Sequence, residues 1–178
     1  MIPQDYYIGI DLGKTGGIAC IDHKREIISL SPMPELVENQ IRLLDELCKQ
    51  ISCDDPLARI HITMEQTSAR PGEGVVSVST FAKHCGGIYY TCMFLALIYD
   101  NVMMPQRIAP ALWKKAFDLI DSKLSKYEKK QMAVTLVNEK YGLDLKYKDN
   151  GISDALLIAL YSKLEAEDAY RKCKELTE

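Results

Sequence analysis

The chain has 178 residues, 47% of them apolar and 26% charged, with a formal net charge of −3. That is enough to bury one sizeable core, and no apolar run approaches the roughly 20 residues of a membrane span. Asp5 leading straight into a strand is unlike a signal peptide, so a single cytosolic (cytoplasmic) domain over residues 1–178 is expected, and the net acidity argues mildly against a nucleic-acid partner.

In chain order, residues 6–12 alternate Ile8, Ile10 and Leu12 against Tyr7, Gly9 and Asp11, the pattern of a strand that ends on an aspartate. A glycine-rich turn at residues 13–17 returns into a strand at 18–21, and residues 26–30 form a third, giving a meander. Pro32 and Pro34 break the chain, and a helix with an apolar stripe of Leu36, Ile41, Leu43, Leu44 and Leu47 runs to about Gln50, with residues 53–56 as a loop. Residues 58–65 read as a fourth strand, with Ile60, Ile62 and Met64 on one face and His61, Thr63 and Glu65 on the other. After a loop at 67–74, residues 75–97 are mostly helical, with Gly86-Gly87 allowing close packing or a break. A short strand is expected at 102–104, a helix from Pro110, and a second helix from the capping box Ser125/Glu128 to Tyr141, stopped by Gly142. A last helix starts near Gly151 with Ile152, Ala155, Leu156, Ala159 and Leu160 on one stripe. The order is βββ-α-β-α-β-α-α-α, an α/β mixed sheet flanked by helices. Trp113 and Phe81 are expected in the core.

Six cysteines (Cys20, Cys48, Cys53, Cys85, Cys92, Cys173) form no C-x-x-C pair and no metal-type spacing with the histidines, so they read as reduced core residues. The acids are more informative. Asp11 ends one strand, Glu65 ends another, and Asp154 opens an apolar helix, three carboxylates on three elements. Such a set suits hard, oxygen-seeking cations, and paired Mg²⁺ ions roughly 4 Å apart are a common means of cutting a phosphodiester. Between Pro105 and Lys148 ten Lys/Arg stand against five Asp/Glu, a local +5 that suits a phosphate polymer beside an acidic metal site. Asp11 as a turn residue, Asp154 as a helix-dipole partner and Asn150 as an N-cap are the plainer alternatives. The Lys14-Thr15 turn lacks a full P-loop pattern.

The succession of strand Asp, later strand Glu and carboxy-terminal helix Asp is that of the RNase H-like superfamily. Within it, Ile8-Gly9-Ile10-Asp11-Leu12-Gly13, Met64-Glu65-Gln66, Pro71-x-x-Gly74-Val75-x-Ser77, Thr80-Phe81, Gly86-Gly87, Ala109-Pro110-x-x-Trp113-Lys114-Lys115 and Ser153-Asp154-Ala155-Leu156-Leu157-Ile158-Ala159 carry the resemblance. Together they resemble the RuvC-type Holliday junction resolvases, most closely their phage-type relatives, over residues 8–159.

The resemblance implies an RNase H-like mixed five-stranded sheet, an antiparallel three-strand meander plus parallel strands. It implies a homodimeric, Mg²⁺-dependent (Mn²⁺ as substitute) endonuclease making paired nicks in four-way junction DNA, with two ions per active site held by Asp11, Glu65 and Asp154. The family sets a fourth acid or a histidine three or four residues before the helix aspartate. Here Gly151 and Asn150 stand there, and either Asp149 reaches in or Asn150 offers its amide oxygen. Lys14, Arg70, Lys83, Lys114, Lys115 and Lys148 are candidate DNA contacts, and any wedge after Glu65 must involve Arg70-Pro71 or another element. Rival readings are an RNase H-like nuclease of structured RNA, an ATP-binding sugar-kinase or actin-like domain, for which 178 residues are too few, and a non-catalytic junction binder.

Overall fold

The computed structural model describes residues 4–66 and 74–175. Its centre is a five-stranded sheet in the order β3-β2-β1-β4-β5. The strands are β1 (Asp5–Asp11), β2 (Gly17–Ile21), β3 (Ile27–Pro32), β4 (Arg59–Glu65) and β5 (Gln106–Ile108). β1, β2 and β3 pair antiparallel as a meander, whereas β4 pairs parallel with β1 and β5 parallel with β4. This is the RNase H-like sheet the sequence resemblance implies.

Two apolar layers sandwich the sheet. Ile8, Ile10, Ile60, Ile62 and Met64 turn to one face and meet α1 (Val37–Asp54) and α2 (Val75–Ile98) through Leu44, Cys48, Ile88, Cys92 and Leu95. Tyr7, Ala19 and Ile21 turn to the other and meet α3 (Pro110–Ala116), α4 (Lys126–Tyr141) and α5 (Asn150–Glu175). The period-2 pattern of β1 and β4 therefore assigns the faces as expected. Cys20, Cys48 and Cys92 are buried in the first layer without disulfides. Among the described residues no helix is long and apolar enough to cross a membrane.

Several expectations shift. α1 continues through Ser52, Cys53 and Asp54, because Ile51 still faces the core and holds the last turn down. α2 is unbroken at Gly86-Gly87, and a Cβ at either glycine would meet nothing within this chain, so no packing inside it calls for the pair. The strand expected at 102–104 is a single bridge from Val102 to Ile60, and the edge strand lies at 106–108. α5 is buried all round its middle, Leu157 and Ile158 included, because α3 and α4 cover the side turned away from the sheet. Trp113 is fully buried, while Phe81 is half-buried beside Gly13. The Ser125/Glu128 capping box and the left-handed Gly142 stop bound α4 as expected.

β1 and α5 touch backbone to backbone. A Cβ on Gly9 would overlap Ala155 O and the Ala159 amide, so the crossing tolerates no side chain on the strand and only methyls on the helix. One turn nearer the amino terminus of α5, a Cβ on Gly151 would overlap Thr15 O and the backbone of Gly16. These contacts press the start of α5 onto the β1–β2 turn, beside the end of β1 that carries Asp11.

Candidate active site

Asp11 is the last residue of β1 and Glu65 the last of the adjacent parallel strand β4, so both leave the sheet at the same edge. Asp154 lies four residues into α5, carried to that edge by the Gly9 and Gly151 contacts. The neighbouring acids act on both aspartates. Burial, then Asp154, then Glu65 and a side-chain hydrogen bond with Glu65 push the Asp11 carboxyl far above the usual range. Burial also raises Asp154, to about 6, with Lys114 and Lys130 opposing the shift and Glu65 adding to it.

Two ammonium groups balance the acids. Trp113 anchors α3 in the core, and the next residue, Lys114, places Nζ 3.8 Å from Glu65 Oε1. Lys130 Nζ on α4 donates to Asn150 Oδ1 at 2.8 Å. Sequence reasoning counted Lys130 only as part of a basic stretch. Its signal was position: it sits three and four residues before the buried Ala133 and Val134, on the inward stripe of α4 where a lysine is out of place without a partner.

The remaining candidates are placed as follows. Asp149 sits in a 3-10 turn (Tyr147–Asp149), where its Oδ2 accepts from the Lys146 amide at 2.9 Å. Asn150 is buried as the first residue of α5; its Oδ1 takes Lys130 and its Nδ2 donates to Tyr147 O at 2.9 Å. Gly151 has no room for any side chain, which accounts for the missing acid at that position. Lys14, in the turn after Asp11, and Lys83, Lys115 and Lys148 are exposed. Arg70, and the Arg70-Pro71 wedge considered above, lie outside the described residues.

Among the described residues no group of three or more His, Cys, Asp or Glu side chains stands in metal-holding array. The donor chemistry nevertheless fits a hard divalent cation. Asp11, Glu65 and Asp154 are oxygen donors whose mutual repulsion in a partly dry site is relieved by protons and one lysine, and a cation would replace those protons. Stability of the metal-free protein should reflect this strain. Because the folded pKa values of Asp11 and Asp154 are raised, the native state binds more protons than the unfolded chain above about pH 4. The contribution of these two groups to stability is therefore fullest below that pH and is lost as pH rises through about 6 and beyond, by on the order of 2–3 kcal/mol. Urea unfolding in EDTA at pH 5 and pH 8 checks this, and equal midpoints would contradict it.

Sheet, layers and edge-on acidic centre define an RNase H-like fold with its acids where strands β1 and β4 end. No family model matches the sequence, and no curated protein matches it either. Among solved structures, the chain is similar to Thermus thermophilus RuvC in complex with a Holliday junction substrate, with a TM-score of 0.54 and 15% identity over 90% of this chain and 96% of that one. A second Thermus thermophilus RuvC structure gives 0.47 and 17% identity, covering 87% of this chain and 91% of that one. The yeast mitochondrial Holliday junction resolvase Ydc2 gives 0.46 and 14%, covering 95% and 83%. The first of these shows that the chain shares the RuvC-type fold.

Proposed function

We propose that the protein is a crossover junction endonuclease, a phosphodiester hydrolase that resolves four-way DNA junctions by paired symmetric nicks. The observation that carries this reading is the convergence of Asp11, Glu65 and Asp154 where β1 and β4 end in a RuvC-type fold, close enough that Asp154 and Glu65 raise the Asp11 carboxyl and Glu65 raises that of Asp154. The neighbour of that fold holds a Holliday junction, which supports the same substrate here.

Asp11, Glu65 and Asp154 would hold Mg²⁺, or Mn²⁺ in its place. When bound, such an ion polarises the phosphodiester and makes a water acidic enough to attack it. Asp149 would join a second-ion site through Oδ1, its Oδ2 being engaged by the Lys146 amide. The chain's own cations do the positioning. Lys114 and Lys130 oppose the rise of the Asp154 carboxyl without cancelling it, and exposed Lys14, Lys83, Lys115 and Lys148 offer sequence-independent phosphate contacts. A homodimer would supply the second nick. It is supported by the exposed stripe of Tyr90, Phe94, Leu97 and Ile98 along α2, a surface of the kind that marks partner contacts.

Gly151 favours one alternative, a binder that grips junctions without cutting, since the position of a fourth acid is sealed by backbone. One experiment separates the readings: labelled four-way junction, linear duplex and structured RNA incubated with the protein in Mg²⁺, Mn²⁺ and EDTA, with light scattering on the same sample. Paired, metal-dependent nicks in the junction from a dimer are expected. Tight junction binding without nicks in either metal would establish the binder, and cleavage of RNA alone would sink the junction reading.

A further inference from the structure

Tyr127 on α4 and Tyr147 in the 3-10 turn stack with ring centroids 4.5 Å apart and 30° between planes. They are 57% and 37% exposed. The Tyr7–His61 stack, at 4.9 Å, has Tyr7 buried. The Tyr127–Tyr147 pair instead presents ring surface to solvent.

Three contacts tie that surface to the acidic site. Lys130 Nζ stands 5.9 Å from the Tyr147 ring centroid, the same Nζ donates to Asn150 Oδ1, and Asn150 Nδ2 donates to Tyr147 O. Asn150 is four residues before Asp154 on α5, about one helical turn. Beyond Tyr127, an open groove of about 600 Å³ continues along Leu119, Leu124, Met132 and Leu136, but Asp118, Glu128 and Glu139 also line it, so the strand's phosphates are not placed there. Lys130 lies over the Tyr147 ring and Tyr127 stacks on it, so the more exposed Tyr127 offers most of the open ring face. An open π-face backed by a nearby ammonium is a combination that holds single nucleotides, because any base can stack on it while a cation answers its phosphate.

We propose that Tyr127 and Tyr147 form a stacking platform for an unpaired base of a nucleic-acid strand entering the acidic site. This rests on the nuclease reading of that site and adds to it a surface that selects locally unpaired strand over intact duplex. Asn150 and Lys130 are positioning residues that hold Tyr147 in place.

The test uses 2-aminopurine, which is quenched on stacking, placed at the crossover of a four-way junction and, separately, within a single-stranded oligodeoxynucleotide. Both are titrated with the full chain in Ca²⁺, with cutting monitored on a gel. Wild type is expected to quench the probe, Tyr127→Ala and Tyr147→Ala to lose the quench and weaken single-strand binding about tenfold, and the two Phe variants to keep both. Thermal melts confirm that the variants fold. Quenching by the Ala variants equal to wild type, or no quenching by wild type with either probe, overturns the platform. No junction binding, together with a single-strand quench that the Ala variants lose, leaves the platform standing and sinks the resolvase reading.

Discussion

Asp11→Asn is expected to lower junction cleavage by about a thousandfold or more while leaving junction affinity within about threefold of wild type. A thousandfold corresponds to about 4 kcal/mol of lost transition-state stabilisation, the scale on which metal-assisted hydrolysis depends on its ligands. The substitution keeps shape and removes charge, and the charge is what Asp11 contributes against Asp154 and Glu65. The same change should make the metal-free protein more stable at pH 8 by about 1–2 kcal/mol, since it relieves a buried repulsion. Single-turnover cleavage, electrophoretic binding and urea unfolding read the three effects. An Asn variant that cuts within tenfold of wild type would remove Asp11 from the chemistry. A variant that cuts poorly and is also less stable would mean that Asp11 supports the fold instead.

Gly9→Ala is expected to act on the opposite quantity. The new methyl would meet the backbone of Ala155 and Ala159 rather than the end of a flexible side chain, so no rotamer change can accommodate it. Either β1 or α5 must shift, and over-packing a backbone crossing costs about 3 kcal/mol or more. That is a large share of a small domain's stability, so a melting temperature lower by ten degrees or more, with cleavage reduced even where the protein stays folded, is the expected result. A melting temperature within a few degrees of wild type would show that the crossing has slack.

Where local chemistry was decisive, the fold was legible from the residues. The alternation in β1 separated Ile8 and Ile10 from Gly9 and Asp11, and Ser125, Glu128 and Gly142 bounded α4. The acids Asp11 and Glu65 were found because each ends a strand, and the structure pairs those two strands in parallel. Legibility failed where tertiary contact decides. β5 has exposed Gln106 and Arg107 and an edge position, so neither period nor propensity marks it, whereas apolar Val102-Met103-Met104 looked more strand-like. Ile51 extends α1 only because a core lies beneath it. The engagement of Asn150 by Lys130 joins residues twenty apart in sequence, and the engagement of Asp149 by Lys146 uses a backbone amide, which no side-chain pattern announces.

The glycine–alanine seam between β1 and α5 has a consequence for how heat ends activity. The backbones that carry Asp11 and Asp154 are spaced by main-chain contact at Gly9, not by an intervening loop. No side chain can loosen that spacing while the helix stays seated, and unseating the helix opens the apolar layer around Leu156 and Ile158. The backbone frame of the two aspartates and the core therefore share one thermal lifetime: that frame does not soften ahead of melting but is lost with it.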